Sequence, residues 1–205
     1  MDGAIDALDA DPATSYDVNA WMLLNLAYDG LTAFRRTGGR AGSQVVPNLA
    51  QALPAPSDGG KTYTFVMRPG ARFSTGLEVR ASDVKRGIDR SLRAEHAAFG
   101  LLGPIRSVEA DDRSRTVVIR LKRPDPDLLY RLALPFAAAV PPEAPKPPGI
   151  VPGTGPYRIT ALDRQSLQLE RNPHFRVWSP LARPARIAVT ASPALTPKVA
   201  SMTSG

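Results

Sequence analysis

The sequence of 205 residues contains no cysteine, which excludes disulfide bonds and thiolate-bound metals. It also contains no long apolar run, so no segment is predicted to cross a membrane as a helix. The longest candidate, residues 132–140, is interrupted by Pro135. Residues 1–4 are acidic where a secretory signal would be basic, so we expect no signal peptide at this start. These absences predict a globular protein and leave its compartment open.

Clusters of basic residues are also lacking, although the net charge is +7. The arginines and lysines are scattered along the chain, and no basic run is longer than a pair. A nucleic-acid-binding domain typically shows a concentrated basic patch or a recognisable motif. The charge therefore predicts a solvated, arginine-rich surface and no nucleic-acid partner.

Motifs of catalytic or metal-binding chemistry are equally scarce. The two histidines, His96 and His174, stand in no zinc-type spacing. The segment Gly153-Thr154-Gly155 is followed by a proline and not by a helix with lysine, so it predicts a glycine-dependent backbone crossover and not a phosphate loop. No serine lies in a Gly-x-Ser-x-Gly elbow. We therefore expect no enzyme activity, no cofactor and no metal site.

The composition that is present favours short elements around a substantial core. Hydrophobic residues make up 43% of the chain, and 21 residues are proline. Proline interrupts helices and central strands, so many turns are expected. A chain of this size buries roughly 70% of its unfolded surface. Six of the prolines fall in residues 141–152, which predicts a connector.

Residues 63–92 carry the clearest local pattern. The alternation in residues 63–67 predicts a strand, and Pro69-Gly70 predicts a turn. Ser82 is expected to cap a helix in which Val84, Ile88 and Leu92 share one buried face.

Periodicity elsewhere predicts further helices and strands in alternation with polar loops. A helix over residues 21–31 is expected to close at Gly30 in a left-handed conformation. Residues 34–47 predict a hairpin or loop. Apolar alternation predicts the remaining strands at residues 4–8, 105–110, 116–122, 157–162, 166–171 and 186–190. A short helix is predicted at residues 127–134.

Several motifs resemble those of the extracellular solute-binding proteins of family 5, which serve ABC importers of peptides, nickel and dipeptides. Residues 63–92 resemble the family pattern YTFxLRPGxxFSDG followed by AxDV, with departures at Met67 and Thr75. Other motifs follow in the family's order. The resemblance is carried by Asp11-Pro12, Tyr28-Asp29-Gly30-Leu31, Pro47-Asn48-Leu49-Ala50, Gly153-Thr154-Gly155-Pro156-Tyr157 and Asn172-Pro173-His174-Phe175.

This resemblance implies an α+β fold with mixed β-sheets and flanking helices, the first lobe of a type II, cluster C periplasmic-binding-protein-like fold. Residues 1–44 and 150–205 are then expected to form one subdomain, with residues 45–149 inserted as a second. The family's second lobe has no counterpart in this sequence, so we expect a fragment that ends before it.

The resemblance also implies binding without catalysis, in a cleft between two lobes. The segment after the Asp-Pro motif lines that cleft in the family, which makes Tyr16, Asp17, Val18, Asn19 and Trp21 the expected ligand-binding residues. Phe99 and Phe136 are further candidates. The alternative for Tyr16 and Trp21 is that they only pack the helix onto a sheet. Aromatic faces beside polar groups are typical of small-molecule sites.

The expected partners are a peptide or small-molecule ligand and the permease subunits of an ABC transporter. The expected location is extracellular or periplasmic, or the cell surface as a lipoprotein, with membrane contact only through the transporter or a lipid anchor absent from this sequence. Two alternatives stay open. One is a ligand-sensing domain of a bacterial transcriptional regulator, which would be cytoplasmic, and the other is a hydrolase.

Overall fold

The computed structural model describes residues 11–13, 18–94, 97–145, 149–163, 166–175, 184–190 and 198–203. Within these ranges four helices alternate with short strands. The helices are α1 (Val18–Ala27), α2 (Ala81–Arg93), α3 (Ala97–Leu102) and α4 (Leu128–Arg131). The strands are β1 (Thr32–Phe34), β2 (Val45–Pro47), β3 (Thr62–Val66), β4 (Ile105–Asp111), β5 (Thr116–Leu121), β6 (Tyr157–Leu162), β7 (Ser166–Arg171), β8 (Arg186–Thr190) and β9 (Lys198–Thr203).

The described strands form three sheets. Their orders are β1-β2, β3-β5-β4 and β6-β7-β8-β9, and every pairing among them is antiparallel. Residues 34–47 were predicted as a hairpin or loop, and the structure shows a hairpin that begins at Thr32, with β1 and β2 paired across a 3-10 turn at Gly39–Ser43. The predicted strand at residues 4–8 lies outside the described residues. Helices segregated from antiparallel sheets define the α+β class.

The first hydrophobic core packs helix α2 against the sheet β3-β5-β4. Val84 and Ile88 are fully buried on the predicted face of α2, and β5 buries alternate residues as its sequence predicted. Phe65 and Phe73 are also completely buried in this cluster. Burying an aromatic side chain of this kind contributes roughly 1.5–3 kcal/mol, so the stretch at residues 63–92 supplies much of the stability of this core.

The second hydrophobic core packs helix α1 against the sheet β6-β7-β8-β9. Leu24 of α1 and Tyr28, which directly follows the helix, meet Leu167, Leu169 and Val189 in one cluster. The chain leaves this cluster after α1, builds the first core, and returns at Ala138, Val140 and Val151.

Ser82 is not the cap of helix α2, so that prediction was wrong. The helix begins at Ala81, and the Asp83 carboxylate accepts a hydrogen bond from the Arg80 backbone N–H at 2.8 Å. Ser82 lies in the first turn, where its backbone N–H and its hydroxyl donate to Asp112 at 2.8 and 2.9 Å. A carboxylate accepts such bonds more strongly than a hydroxyl, and it is favoured at the positive end of the helix dipole.

Gly30 does not close helix α1, and this prediction was also wrong. The helix ends at Ala27, and Gly30 is absent from the glycines of positive φ. A Cβ atom at Gly30 would lie 2.6 Å from the Leu132 carbonyl oxygen. Close approach of two backbones is therefore what requires glycine at this position.

Candidate functional site

Trp21 lies where the two hydrophobic cores meet. It is half-buried on α1 and packs against both clusters. Its ring meets that of Phe136 edge to face, with centroids 5.3 Å apart and an interplanar angle of 88°. Such an aromatic pair contributes about 0.5–1.5 kcal/mol beyond its buried area. Trp21 is therefore held in one orientation while part of its side chain stays accessible.

Phe136 is the buried residue of the first core that packs against the Trp21 ring. It lies in a 3-10 turn at Pro135–Ala137 and is only 1% exposed. Its carbonyl oxygen accepts a hydrogen bond from the Ser91 hydroxyl at 2.7 Å, which ties the turn to helix α2. This burial favours a supporting role for Phe136, whereas its predicted direct contact with a ligand remains a prediction.

The other predicted ligand-binding residues are only partly described. Val18 and Asn19 share the first turn of α1 with Trp21, and Phe99 lies in α3, but their side chains are outside the described part of the chain. Tyr16 and Asp17 also lie outside the described residues. The structure thus brings together Trp21 and Phe136, and it places the backbone of Val18 and Asn19 in the same helix as Trp21.

Met22 is an accessible apolar residue that the sequence interpretation missed. Its side chain is 68% exposed, directly after Trp21 on helix α1. The signal was present in the helical spacing, because the positions that turn Leu24 and Ala27 inward turn Met22 outward. A single exposed apolar side chain is common on a protein surface, so Met22 is of interest here only for its position next to Trp21 in the sequence.

The segment Gly153-Thr154-Gly155 fixes the C-terminal end of helix α1. A Cβ atom at Gly153 would lie 1.9 Å from the Ala27 carbonyl oxygen, and the Gly155 N–H donates to that same oxygen at 2.9 Å. The Thr154 hydroxyl oxygen accepts from the Asp29 N–H at 3.1 Å. The predicted backbone crossover that needs glycine is confirmed, and it sets the orientation of the helix that carries Trp21.

Asp29 joins the end of helix α1 to the hairpin β1-β2. Its carboxylate is fully buried. The Oδ1 atom accepts from the Arg36 guanidinium at 2.6 Å and from the Asn48 side-chain amide at 2.8 Å. The Arg36 guanidinium also lies over the Phe175 ring, 6.0 Å from its centroid. These contacts connect four separate stretches of the chain at one buried charge.

Asp11 ties the segment that precedes helix α1 to helix α2. Its carboxylate is buried and accepts hydrogen bonds from both terminal nitrogens of the Arg90 guanidinium, in a bidentate ion pair. It also accepts from the Ala13 N–H at 3.0 Å. Bidentate pairing gives geometric specificity as well as attraction, so the Asp-Pro motif is held in place just before the predicted ligand-binding residues.

Two tyrosines and two carboxylates have shifted pKa values, and none of them is a predicted ligand-binding residue. Burial raises the pKa of Tyr63 and of Tyr157. The hydrogen bond from Arg120 lowers the pKa of Glu109, and the hydrogen bond from the Ser114 hydroxyl lowers that of Asp111. The two carboxylates are exposed groups of the hairpin β4-β5, where they stabilise local structure.

The described part of the chain offers neither a metal site nor a membrane span. No three His, Asp or Glu side chains there lie close enough together to hold a metal ion. No helix there has the length and apolarity needed to cross a membrane.

Curated relatives of the chain are bacterial binding proteins. The chain is 28% identical over 183 residues to the probable D,D-dipeptide-binding periplasmic protein DdpA of Escherichia coli K12, covering 84% of this chain and 35% of that protein. It is 39% identical over 156 residues to the glutathione-binding protein GsiB of the same strain, covering 73% of this chain and 29% of that protein. The chain thus spans about a third of the length of these relatives.

Solved structures share the fold. Clavulanic acid biosynthesis oligopeptide binding protein 2 superposes with a TM-score of 0.79 at 29% identity, covering 91% of this chain and 38% of that one. NikA from Brucella suis, solved in complex with Fe(III)-EDTA, superposes with a TM-score of 0.74 at 29% identity, covering 92% of this chain and 38% of that one. The predicted α+β, periplasmic-binding-protein-like fold is confirmed.

The family model of the bacterial extracellular solute-binding proteins, family 5 middle region, matches residues 44–205. This match covers most of the chain and includes the stretch at residues 63–92 and the segment Gly153-Thr154-Gly155. The chain belongs to the bacterial extracellular solute-binding proteins of family 5.

Proposed function

We propose that this chain forms one wall of a cleft that holds a peptide-like or other small polar solute for an ABC importer. The solute is held by enclosure between two lobes, and no bond of the solute is broken. The names of the relatives support this proposal, since they include dipeptide-, glutathione- and oligopeptide-binding proteins. They give no support to the regulator or the hydrolase alternative.

The observation that carries the proposal is Trp21, whose ring is held in one orientation by packing while part of it stays accessible. The Trp21 ring meets that of Phe136 edge to face, and Met22, the next residue of helix α1, is 68% exposed. A rigid aromatic side chain offers a large contact area at a small cost in conformational entropy. We propose that further contacts with the same solute come from Val18 and Asn19 and from the adjoining Tyr16 and Asp17.

The division of the chain follows from the same proposal. Residues 1–44 and 150–205 are proposed to form one subdomain, and residues 45–149 an inserted one. The two hydrophobic clusters support this, because α1 packs with β6, β7 and β8, whereas residues 49–139 supply most of the first cluster. Trp21 contacts both clusters, so the two subdomains are expected to move together as one rigid lobe when the cleft closes.

The partners and location follow from the role. The whole protein is proposed to act outside the cytoplasm, in the periplasm or at the cell surface, and to deliver its solute to the permease subunits of an importer. A lipid anchor is one way in which such a protein is held at a membrane.

Mass spectrometry of solutes that co-purify with the full-length protein tests the proposal. The expected result is a defined peptide-like or small polar compound in close to stoichiometric amount, released by denaturation. A full-length protein that retains no solute and that hydrolyses peptides or esters in a general screen would contradict it.

A further inference from the structure

A cavity of about 670 Å³ is lined by the turn Ser74-Thr75, by residues 150–153 and by strand β6, and we call it the turn cavity. Its volume falls within the range of small-molecule sites. Part of its wall is apolar, and this part includes the half-buried residues Ile150 and Pro152. Trp21 is not among the described residues that line it, so the turn cavity is distinct from the proposed solute cleft.

Two close contacts hold the sides of the turn cavity together. The Ser74 N–H donates a hydrogen bond to the Gly153 carbonyl oxygen at 2.8 Å. The His174 ring lies against Gly76, with its Cε1 and Nε2 atoms 3.2 Å from the position that a Cβ atom would take there. Gly76 also has a φ of +89°, a conformation that favours glycine. The glycine therefore leaves room for the imidazole that lines the cavity.

The polar side chains of this wall have unused hydrogen-bonding capacity. Among the described residues, the hydroxyls of Ser74 and Thr75 and the imidazole of His174 have no hydrogen-bond partner. Arg158 donates from its Nη2 atom to Glu170 at 3.2 Å, and its Nη1 atom has no partner there. All four side chains have accessible surface, and each can donate to an occupant.

The charge around the turn cavity favours an anion. None of the described residues that line it is an aspartate or a glutamate. The Glu170 carboxylate is shared between Arg158, at 3.2 Å, and Arg186, at 3.1 Å, so these three side chains leave one positive charge unbalanced. The Arg158 side chain is 42% exposed. A guanidinium group binds carboxylate and phosphate groups well.

We infer that the turn cavity binds a small organic anion through a carboxylate or phosphate group. That group accepts hydrogen bonds from Arg158 and from the hydroxyls of Ser74 and Thr75, with the His174 ring beside it. The rest of the ligand lies against the apolar wall at Ile150 and Pro152.

NMR of the 205-residue chain tests the inference with benzoate and phenyl phosphate as probes, at constant ionic strength because salt screens exposed charges. The chain has two histidines, and His174→Gln identifies which imidazole signal belongs to position 174. The expected result is a saturable shift of that signal and of the Ser74 and Thr75 amides, with the His96 signal unchanged. The tighter of the two probes identifies the anionic group.

Benzamide is the uncharged comparator, because it has nearly the shape of benzoate. It is expected to bind at least roughly fivefold more weakly, since hydrogen bonds to a charged acceptor are the stronger ones. Equal binding of benzamide and benzoate, or no saturable shift with either anion, would overturn the inference.

A matched pair of arginine variants locates the charge that acts. Arg158→Gln is expected to weaken anion binding roughly two- to fivefold, because the side chain is partly exposed, and to leave benzamide binding unchanged. Arg186→Gln is the control, since Arg186 contacts the same Glu170 carboxylate but does not line the cavity. Equal weakening in both variants would contradict the inference. None of these results bears on the proposed solute cleft, because that cleft is measured at Trp21.

Discussion

At the residue scale, single buried groups decide how separate stretches of this chain meet. Asp29 is the clearest case, because its carboxylate binds Arg36 and Asn48 on either side of the hairpin β1-β2. Its own N–H donates to Thr154, and its carbonyl oxygen accepts from the Ala139 N–H. The carboxylate of Asp29 thus holds the hairpin, while its backbone joins the end of α1 to Thr154 and Ala139.

Replacing Asp29 with asparagine is expected to lower the free energy of unfolding by about 1.5–3 kcal/mol, because the bond from Arg36 loses its charged acceptor. Urea unfolding followed by circular dichroism measures this. Asp58→Asn is the matched control, since the Asp58 carboxylate is exposed and pairs with Lys61 at 3.7 Å. Such a pair contributes about 0–1 kcal/mol. Equal midpoints for the two variants would show that Asp29 does not hold the hairpin.

Glycine at position 153 is a second residue-scale constraint. A side chain there would collide with the Ala27 carbonyl oxygen, 1.9 Å from the position of a Cβ atom. Gly153→Ala is thus expected to destabilise the fold by about 1–3 kcal/mol or more, as overpacking does.

Gly38→Ala is the control for that substitution in the same thermal or urea unfolding experiment. Gly38 has an extended backbone with φ −79°, and apart from its own chain neighbours no described residue has an atom within 4 Å of the position that a Cβ atom would take there. Its replacement is expected to be neutral or to stabilise slightly by restricting the unfolded chain. If Gly153→Ala unfolded at the same denaturant concentration as Gly38→Ala, the close approach at Ala27 would be refuted.

At the element scale, the first turn of helix α2 donates hydrogen bonds to the turn between strands β4 and β5. Asp112, at the turn between β4 and β5, accepts from the Ser82 N–H and hydroxyl. We expect Asp112→Ala to destabilise the protein by about 1 kcal/mol, in the range of a lost helix cap. A double-mutant cycle with Ser82→Ala measures the coupling of the two side chains in urea unfolding. Strict additivity of the two substitutions would mean that the pair contributes nothing.

Local pattern predicts an element well when the element's neighbours do not set its ends. Strands β6, β7 and β8 have the bounds that alternation predicted, and the buried face of α2 follows from helical spacing. The two wrong predictions concern ends that distant residues decide. Asp112 lies 30 positions from Ser82, and the carbonyl oxygen that confines Gly30 belongs to Leu132.

The sequence likewise predicted only part of the candidate site. The motif resemblance placed Trp21 in the site, and only the fold shows the edge-to-face contact with Phe136 that orients it. Nothing local indicated that the Asp29 carboxylate would be buried, because its burial depends on Asn48 and Arg36 reaching it from the hairpin. Helical spacing could have singled out Met22, but its significance depends on its exposure beside Trp21.

At the scale of the whole molecule, two cores meet along helix α1 and the turn at Pro135–Ala137. Helix α2 comes close to this junction, since a Cβ atom at Gly87 would lie 1.8 Å from the Ala138 carbonyl oxygen. Backbones this close leave little freedom between the two cores at this point. The arrangement suits a wall that keeps its shape while a second lobe moves against it.

The central claim is that the accessible edge of Trp21 contacts the solute. Calorimetry of the full-length protein with its co-purified solute measures this most directly, in wild type, Trp21→Phe, Trp21→Ala and the control Tyr130→Ala, which removes a half-exposed aromatic on α4. We predict that Trp21→Ala weakens binding roughly tenfold or more, as the loss of an aromatic hot spot does, with a smaller loss in Trp21→Phe and none in Tyr130→Ala. Unchanged affinity in a folded Trp21→Ala protein would contradict the account.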